Sequence, residues 1–123
     1  MKKYFFFILF YALTSNVYAQ KAYMHTIYVG NINGNISITL GLAHTLTDNK
    51  FYHYEGYLQY GNNPQLSISG KLRRKDNFIG LTERDSNGNV TGFFNGYLNG
   101  NVITGVWSNP KETRKYNFKV QTN

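Results

Sequence analysis

The sequence predicts an all-β fold, an eight-stranded antiparallel up-and-down barrel, with a two-sheet β-sandwich as the alternative. Three observations predict it. Asn-Gly-Asn followed by a β-branched residue occurs three times, at Asn33-Gly34-Asn35-Ile36, Asn87-Gly88-Asn89-Val90 and Asn99-Gly100-Asn101-Val102. Asn-Gly is the strongest short-range hairpin signal, because a type I′ turn demands positive φ at both central residues. Beside these turns apolar and polar residues alternate, as half-buried strands require. Ile36, Ile38, Leu40 and Leu42 share one face, and Ser37, Thr39 and Gly41 the other. The eleven Tyr and nine Phe favour strands.

Residues 1–19 read as a secretory signal peptide. Lys2 and Lys3 supply a short positive region, Tyr4 to Leu13 an unbroken apolar stretch, and Val17-Tyr18-Ala19 the small residues of a cleavage site before Gln20. Ten helical residues reach only about 15 Å, half of the about 30 Å of hydrocarbon that a membrane span must cross. Cleavage leaves residues 20–123 as a single barrel domain with no second apolar stretch of spanning length. The expectation is therefore a periplasmic or secreted bacterial protein without stable membrane insertion after signal removal. The chain has no cysteine, so such a domain relies on packing rather than disulfides.

The strands follow in order between breaks. The first, Tyr23–Ile32, ends at the first Asn-Gly, and the second, Asn35–Leu42, starts just beyond it. Only Gly41 to Lys50 leaves room for a short helix or irregular loop, and its Gly, His and Thr argue against it. Phe51–Tyr60 follows Asp48-Asn49, and Gln65–Arg73 follows Gly61-Asn62-Asn63-Pro64. A basic turn precedes Phe78–Asp85, and the two later Asn-Gly pairs bound Val90–Leu98 and Val102–Trp107. Arg114–Gln121 follows Asn109-Pro110-Lys111. An open sheet of this size leaves two unpaired edges, which closure removes. Glycines at 56, 70, 80, 92, 96 and 105 fall inside predicted strands, where tight barrel curvature needs them.

Several of these pieces carry a resemblance. Leu66-Ser67-Ile68-Ser69-Gly70, Ile79-Gly80-Leu81-Thr82-Glu83, Gly88-Asn89-Val90-Thr91-Gly92-Phe93-Phe94-Asn95-Gly96 and Ile103-Thr104-Gly105-Val106-Trp107 are similar to a family of small exported bacterial β proteins without assigned activity. The last piece also resembles the Ile-Thr-Gly-x-Trp strand of avidin-like and, more distantly, calycin-like barrels. Both likenesses imply a barrel. They cover about residues 50–108 and consist of strands and turns rather than catalytic motifs.

The formal charge is +7, with thirteen basic and six acidic residues. Two of the basic residues lie in the leader, so the mature chain carries eleven against six, or +5. A basic surface favours acidic partners, such as an anionic envelope component or an acidic protein. Scattered Lys and Arg in an exported chain argue against nucleic acid. Lys71, Arg73, Arg74 and Lys75 form the densest cluster and are candidates for partner binding, because clustered cations grip phosphate or carboxylate groups. A solvated hairpin tip is the alternative.

Glu83 shares a face with Ile79 and Leu81, so an inward strand face carries its carboxylate inward. A buried carboxylate must be hydrogen-bonded, paired or protonated. Glu83 is thus either a ligand-orienting acid or general base, or a structural acid bonded to a Tyr hydroxyl or a cation. Tyr52, Tyr54, Tyr60, Tyr97 and Trp107 join it as candidate ligand-binding residues, since tyrosine combines apolar area with a hydroxyl handle. His53 and Glu55 share the other face of their strand and read as exposed polar positions.

No nucleophile elbow, zinc-protease motif or phosphate loop occurs. No metal site and no cofactor is predicted. The expected function is a non-enzymatic binding module, inhibitor-like or immunity-like, that recognises a protein or an anionic envelope component. A carrier of a small amphipathic ligand inside the barrel and a hydrolase using Glu83 are the alternatives.

Overall fold

The computed structural model describes residues 24–122, so the leader and Tyr23 lie outside the described residues. Eight strands follow in chain order: β1 Thr26–Ile32, β2 Ile36–Thr47, β3 Phe51–Tyr60, β4 Leu66–Arg73, β5 Phe78–Arg84, β6 Val90–Asn99, β7 Val102–Ser108 and β8 Lys115–Gln121. Each pairs antiparallel with its sequence neighbour, and β8 returns to β1, closing the barrel. The predicted up-and-down barrel is the observed fold, and the sandwich alternative is set aside. The closing seam is short, running from Val29↔Gln121 to Ile32↔Phe118.

One stretch differs from expectation. Gly41 to Lys50 holds neither helix nor long loop, because β2 continues through it to Thr47. A register shift between His44 and Leu46 bends β2 where it pairs with β3. An extra residue of this kind relieves the ladder without ending the strand.

All three Asn-Gly pairs sit at chain reversals, but in different conformations. At the β1–β2 turn Asn33 and Gly34 both have positive φ, 56° and 76°. At β6–β7 only Gly100 does, at 65°, which is the first central position of a type II′ pattern. At β5–β6 the Asp85 carboxylate accepts the amide hydrogens of Asn87 and Asn89, and Gly88 alone turns positive, at 85°. The number of residues between paired strand ends selects the turn, and the dipeptide supplies whichever positive φ is needed.

Alternation sends every second residue into the interior. The centre is filled by Leu40, Leu58, Ile68, Ile79, Phe94, Ile103 and Val120, all almost fully buried. Phe94 and Phe118 meet edge to face at 5.0 Å. The barrel is therefore packed across its middle. The inward-facing glycines permit close wall contacts. A Cβ at Gly70 would run into the Gly80 carbonyl of the neighbouring strand. Gly80 faces outward, and a Cβ there would meet only side chains, the Oδ1 of Asn95 at 3.3 Å and the Phe78 ring at 3.9 Å.

These two neighbouring glycines give a paired test. Gly70→Ala is expected to destabilise by about 1–3 kcal/mol through overpacking against backbone. Gly80→Ala should stay within about 1 kcal/mol of the parent. Denaturant unfolding of both variants checks the contrast.

Candidate functional site

Four loops gather at one end of the barrel and three at the other. The β1–β2, β3–β4, β5–β6 and β7–β8 connections share one end, and the β2–β3, β4–β5 and β6–β7 turns share the other with the chain termini of the barrel. At the first end a hollow of about 320 Å³ opens to solvent, lined by Ile32, Ile36, Tyr60, Glu83, Trp107, Arg114 and Tyr116. These residues come from six strands and one loop. They meet because each closes or opens its strand at the same rim.

Glu83 lies at the floor, only 3% exposed. Strand parity places it there with Ile79 and Leu81. Its Oε1 accepts the Tyr60 hydroxyl at 2.7 Å and the Trp107 indole Nε1–H at 3.2 Å, and its Oε2 accepts the Thr91 hydroxyl at 2.8 Å. All three partners are neutral donors. Among the described residues no Lys, Arg or His reaches Glu83 within ion-pair distance. No buried side-chain nitrogen or oxygen there lacks a partner. Both anticipated roles for this acid therefore share one arrangement: it is bonded to a Tyr hydroxyl, and it also faces a cavity.

Thr91 reaches Glu83 because of a bulge. Glu83 pairs with Gly92 but Arg84 pairs with Val90, so Thr91 is the extra residue. Gly92 leaves the space the network occupies. A Cβ there would lie 2.5 Å from the Trp107 Nε1 and 2.9 Å from the Glu83 Oε1. Burial, and then the hydrogen bond to Glu83, push the Tyr60 hydroxyl well above the ordinary tyrosine range, so it remains a donor.

The walls are aromatic. Trp107 and Tyr116 are cross-strand partners whose rings stack at 6.0 Å with planes 8° apart. Asn109 clamps the loop between them. Its Oδ1 accepts the Arg114 amide hydrogen at 2.9 Å and its Nδ2 donates to the Thr113 hydroxyl at 2.8 Å, which holds the exposed Arg114 at the rim.

Of the candidate ligand-binding residues, the structure brings together Tyr60, Glu83 and Trp107. Tyr52 and Tyr54 also face inward, but near the opposite end, where His44 packs against them at 5.2 and 5.7 Å. Tyr97 does not join either group. The inward set of β6 is Gly92, Phe94, Gly96 and Leu98, so parity turns Tyr97 outward against Phe78, 52% exposed. Sequence reasoning missed Thr91, Arg114 and Tyr116. The first needed the bulge, and the other two needed β8 to lie beside β7.

The basic cluster occupies the other end. Arg73 makes a bidentate pair with Asp76 at 2.9 and 2.8 Å, and its guanidinium lies over Phe78. Arg74 donates to the Asp48 carbonyl at 2.8 Å and covers Tyr52, while the Lys71 ammonium sits 4.2 Å above the Phe51 ring. Lys75 is exposed. His53 faces outward and bonds Asp48 at 2.8 Å, and Glu55 is exposed. Among the described residues no three His, Asp or Glu side chains gather as a metal site would require.

Two expected outcomes follow from these contacts. Glu83→Gln removes a charge-bearing acceptor and points an amide N–H₂ at donors, so it should cost about 1–3 kcal/mol of stability, measured by denaturant unfolding. The second concerns acid. His53 first, then the Lys50 and Phe51 amide hydrogens, pull Asp48 from 3.8 to about 2, and the Arg73 pair does the same for Asp76. Both folded-state values lie below the unfolded ones, so their stabilisation is complete above about pH 4 and lost as pH falls toward 2. Asp48→Asn with Asp76→Asn should flatten the acid limb of Tm against pH over that interval, modestly, because both groups are solvent-screened.

Comparison of the chain with family models, with curated proteins and with solved structures finds no match, so its function is read from the site itself.

Proposed function

We propose that the mature chain works outside the cytosol as a non-enzymatic binding module, which recognises a protein or an anionic envelope component at the Glu83 end of the barrel. The observation that carries this reading is the open, aromatic-walled hollow with a single buried carboxylate at its floor. Concave, mostly apolar sites with a few convergent polar groups are the usual form of a binding pocket.

Each wall has a function in that reading. Ile32, Ile36 and the Trp107–Tyr116 stack offer apolar area to a flat or aliphatic group. A carboxylate oxygen accepts about two hydrogen bonds. Oε1 of Glu83 already has two and Oε2 has one, which leaves Oε2 open to a hydroxyl or amine of the ligand. Arg114 at the rim suits a carboxylate or phosphate on the same partner. The packed interior stops a ligand from passing deeper, so the occupant is a protruding group of something larger rather than a molecule enclosed in the barrel.

Binding without turnover is favoured by what lines the hollow. Glycoside hydrolysis by carboxylates needs a pair at defined separation, and the lining holds one carboxylate with no Ser, His or thiol beside it.

Trp107 is the sole tryptophan of the chain, so its emission reports on this pocket alone. Titration with fractionated envelope material, and then with purified anionic polymers, should shift that emission saturably. Arg114→Ala should weaken the response by about tenfold, equivalent to one charge-assisted contact. An unchanged spectrum across all fractions, or consumption of a substrate that stops in Glu83→Gln, would remove this reading, the second in favour of a hydrolase.

A further inference from the structure

The opposite end of the barrel carries a second arrangement, built from different loops. The β2–β3 and β4–β5 turns are bound to each other. The Arg74 amide hydrogen bonds the Lys50 carbonyl at 2.8 Å, and the Arg74 guanidinium bonds the Asp48 carbonyl at 2.8 Å. Asp48 in turn accepts the amide hydrogens of Lys50 and Phe51 at 2.8 and 2.7 Å. The turns are thereby fixed before any ligand arrives. Between them lies a hollow of about 270 Å³, lined by Asn49, Lys50, Phe51, Arg73 and Lys75.

Charge accumulates here beyond what the local carboxylates neutralise. Lys50, Arg73, Arg74 and Lys75 stand at these turns against Asp48 and Asp76, which leaves two positive charges over. Asp76 engages Nε and Nη2 of Arg73 and leaves Nη1 free. Among the described residues Lys50 and Lys75 have no ion-pair partner.

We propose that this hollow is a second binding site, for a ligand that bears several phosphate groups, gripped by Lys50, Lys75 and the free edge of Arg73. Multivalency follows from exposure. Each solvent-screened ion pair is worth little, so one carboxylate gains almost nothing, whereas clustered phosphates with three oxygens and up to two charges each engage all three cations together. Nucleic acid is disfavoured despite its phosphates. Single-strand binding needs free aromatic faces for base stacking, and the rings of Phe51, Tyr52 and Phe78 are already covered by Lys71, Arg74 and Arg73. The site is independent of the Glu83 end, and each can stand without the other.

Inorganic tripolyphosphate is the probe. Titration at low salt, followed by amide NMR shifts, should give saturable changes confined to residues 49–51 and 73–76, weakening steeply as salt rises. Lys50→Glu with Lys75→Glu, both exposed and outside the core, should weaken binding at least about tenfold, while Arg114→Ala leaves it unchanged. Vesicles separate the sources. Sedimentation with phosphatidylglycerol vesicles, competed by tripolyphosphate, identifies lipid phosphate, and tripolyphosphate binding without sedimentation identifies a soluble phosphate ligand. Absence of saturable binding, equal loss in Arg114→Ala, or full affinity in the double charge reversal overturns the proposal.

Discussion

The architecture depends on one constraint, the two-residue pleat of strands that close on themselves. In a closed wall each residue faces either the packed interior or water, and a one-residue slip would exchange the two sets. Leu40, Leu58, Phe94 and Val120 fix that choice for their strands through burial. Glu83 then has no freedom. Ile79 and Leu81 must face inward, and the carboxylate goes with them.

The cost of placing a carboxylate inside is met by neutral donors drawn from β3, β6 and β7, those of β3 and β7 more than twenty residues away in sequence. A buried charge held by hydrogen bonds alone requires every donor in place. Gly92 and the neighbouring bulge are part of that requirement, since one provides room and the other redirects Thr91. The same network keeps Trp107 and Tyr60 in fixed orientation at the rim, so the pocket wall and the fold share their supports.

The two ends of the barrel differ in chemistry because their loops differ. One is dominated by Asn and Gly turns around an aromatic hollow with a recessed carboxylate. The other places most of the clustered cations on two turns tied to each other by backbone and Arg74 hydrogen bonds. In an up-and-down barrel alternate loops fall on opposite ends, so this separation follows from connectivity.

The sequence alone marked the eight strands, their antiparallel order and the face that Glu83 shares with Ile79 and Leu81, because alternation and Asn-Gly turns are local and period-two properties. It also marked Lys71 to Lys75 as a charged turn. Closure of β8 on β1, in place of a sandwich, was decided in the tertiary structure. Tertiary structure also decided which of these residues meet. Tyr60 and Trp107 join Glu83 since strands end at a common rim, whereas Tyr52 and Tyr54 lie at the far end and Tyr97 outside. The extension of β2 through His44, the recruitment of Thr91 and the place of Tyr116 each depend on register between strands. Register is set by pairing across the closed wall, and no local pattern in a single strand contains it.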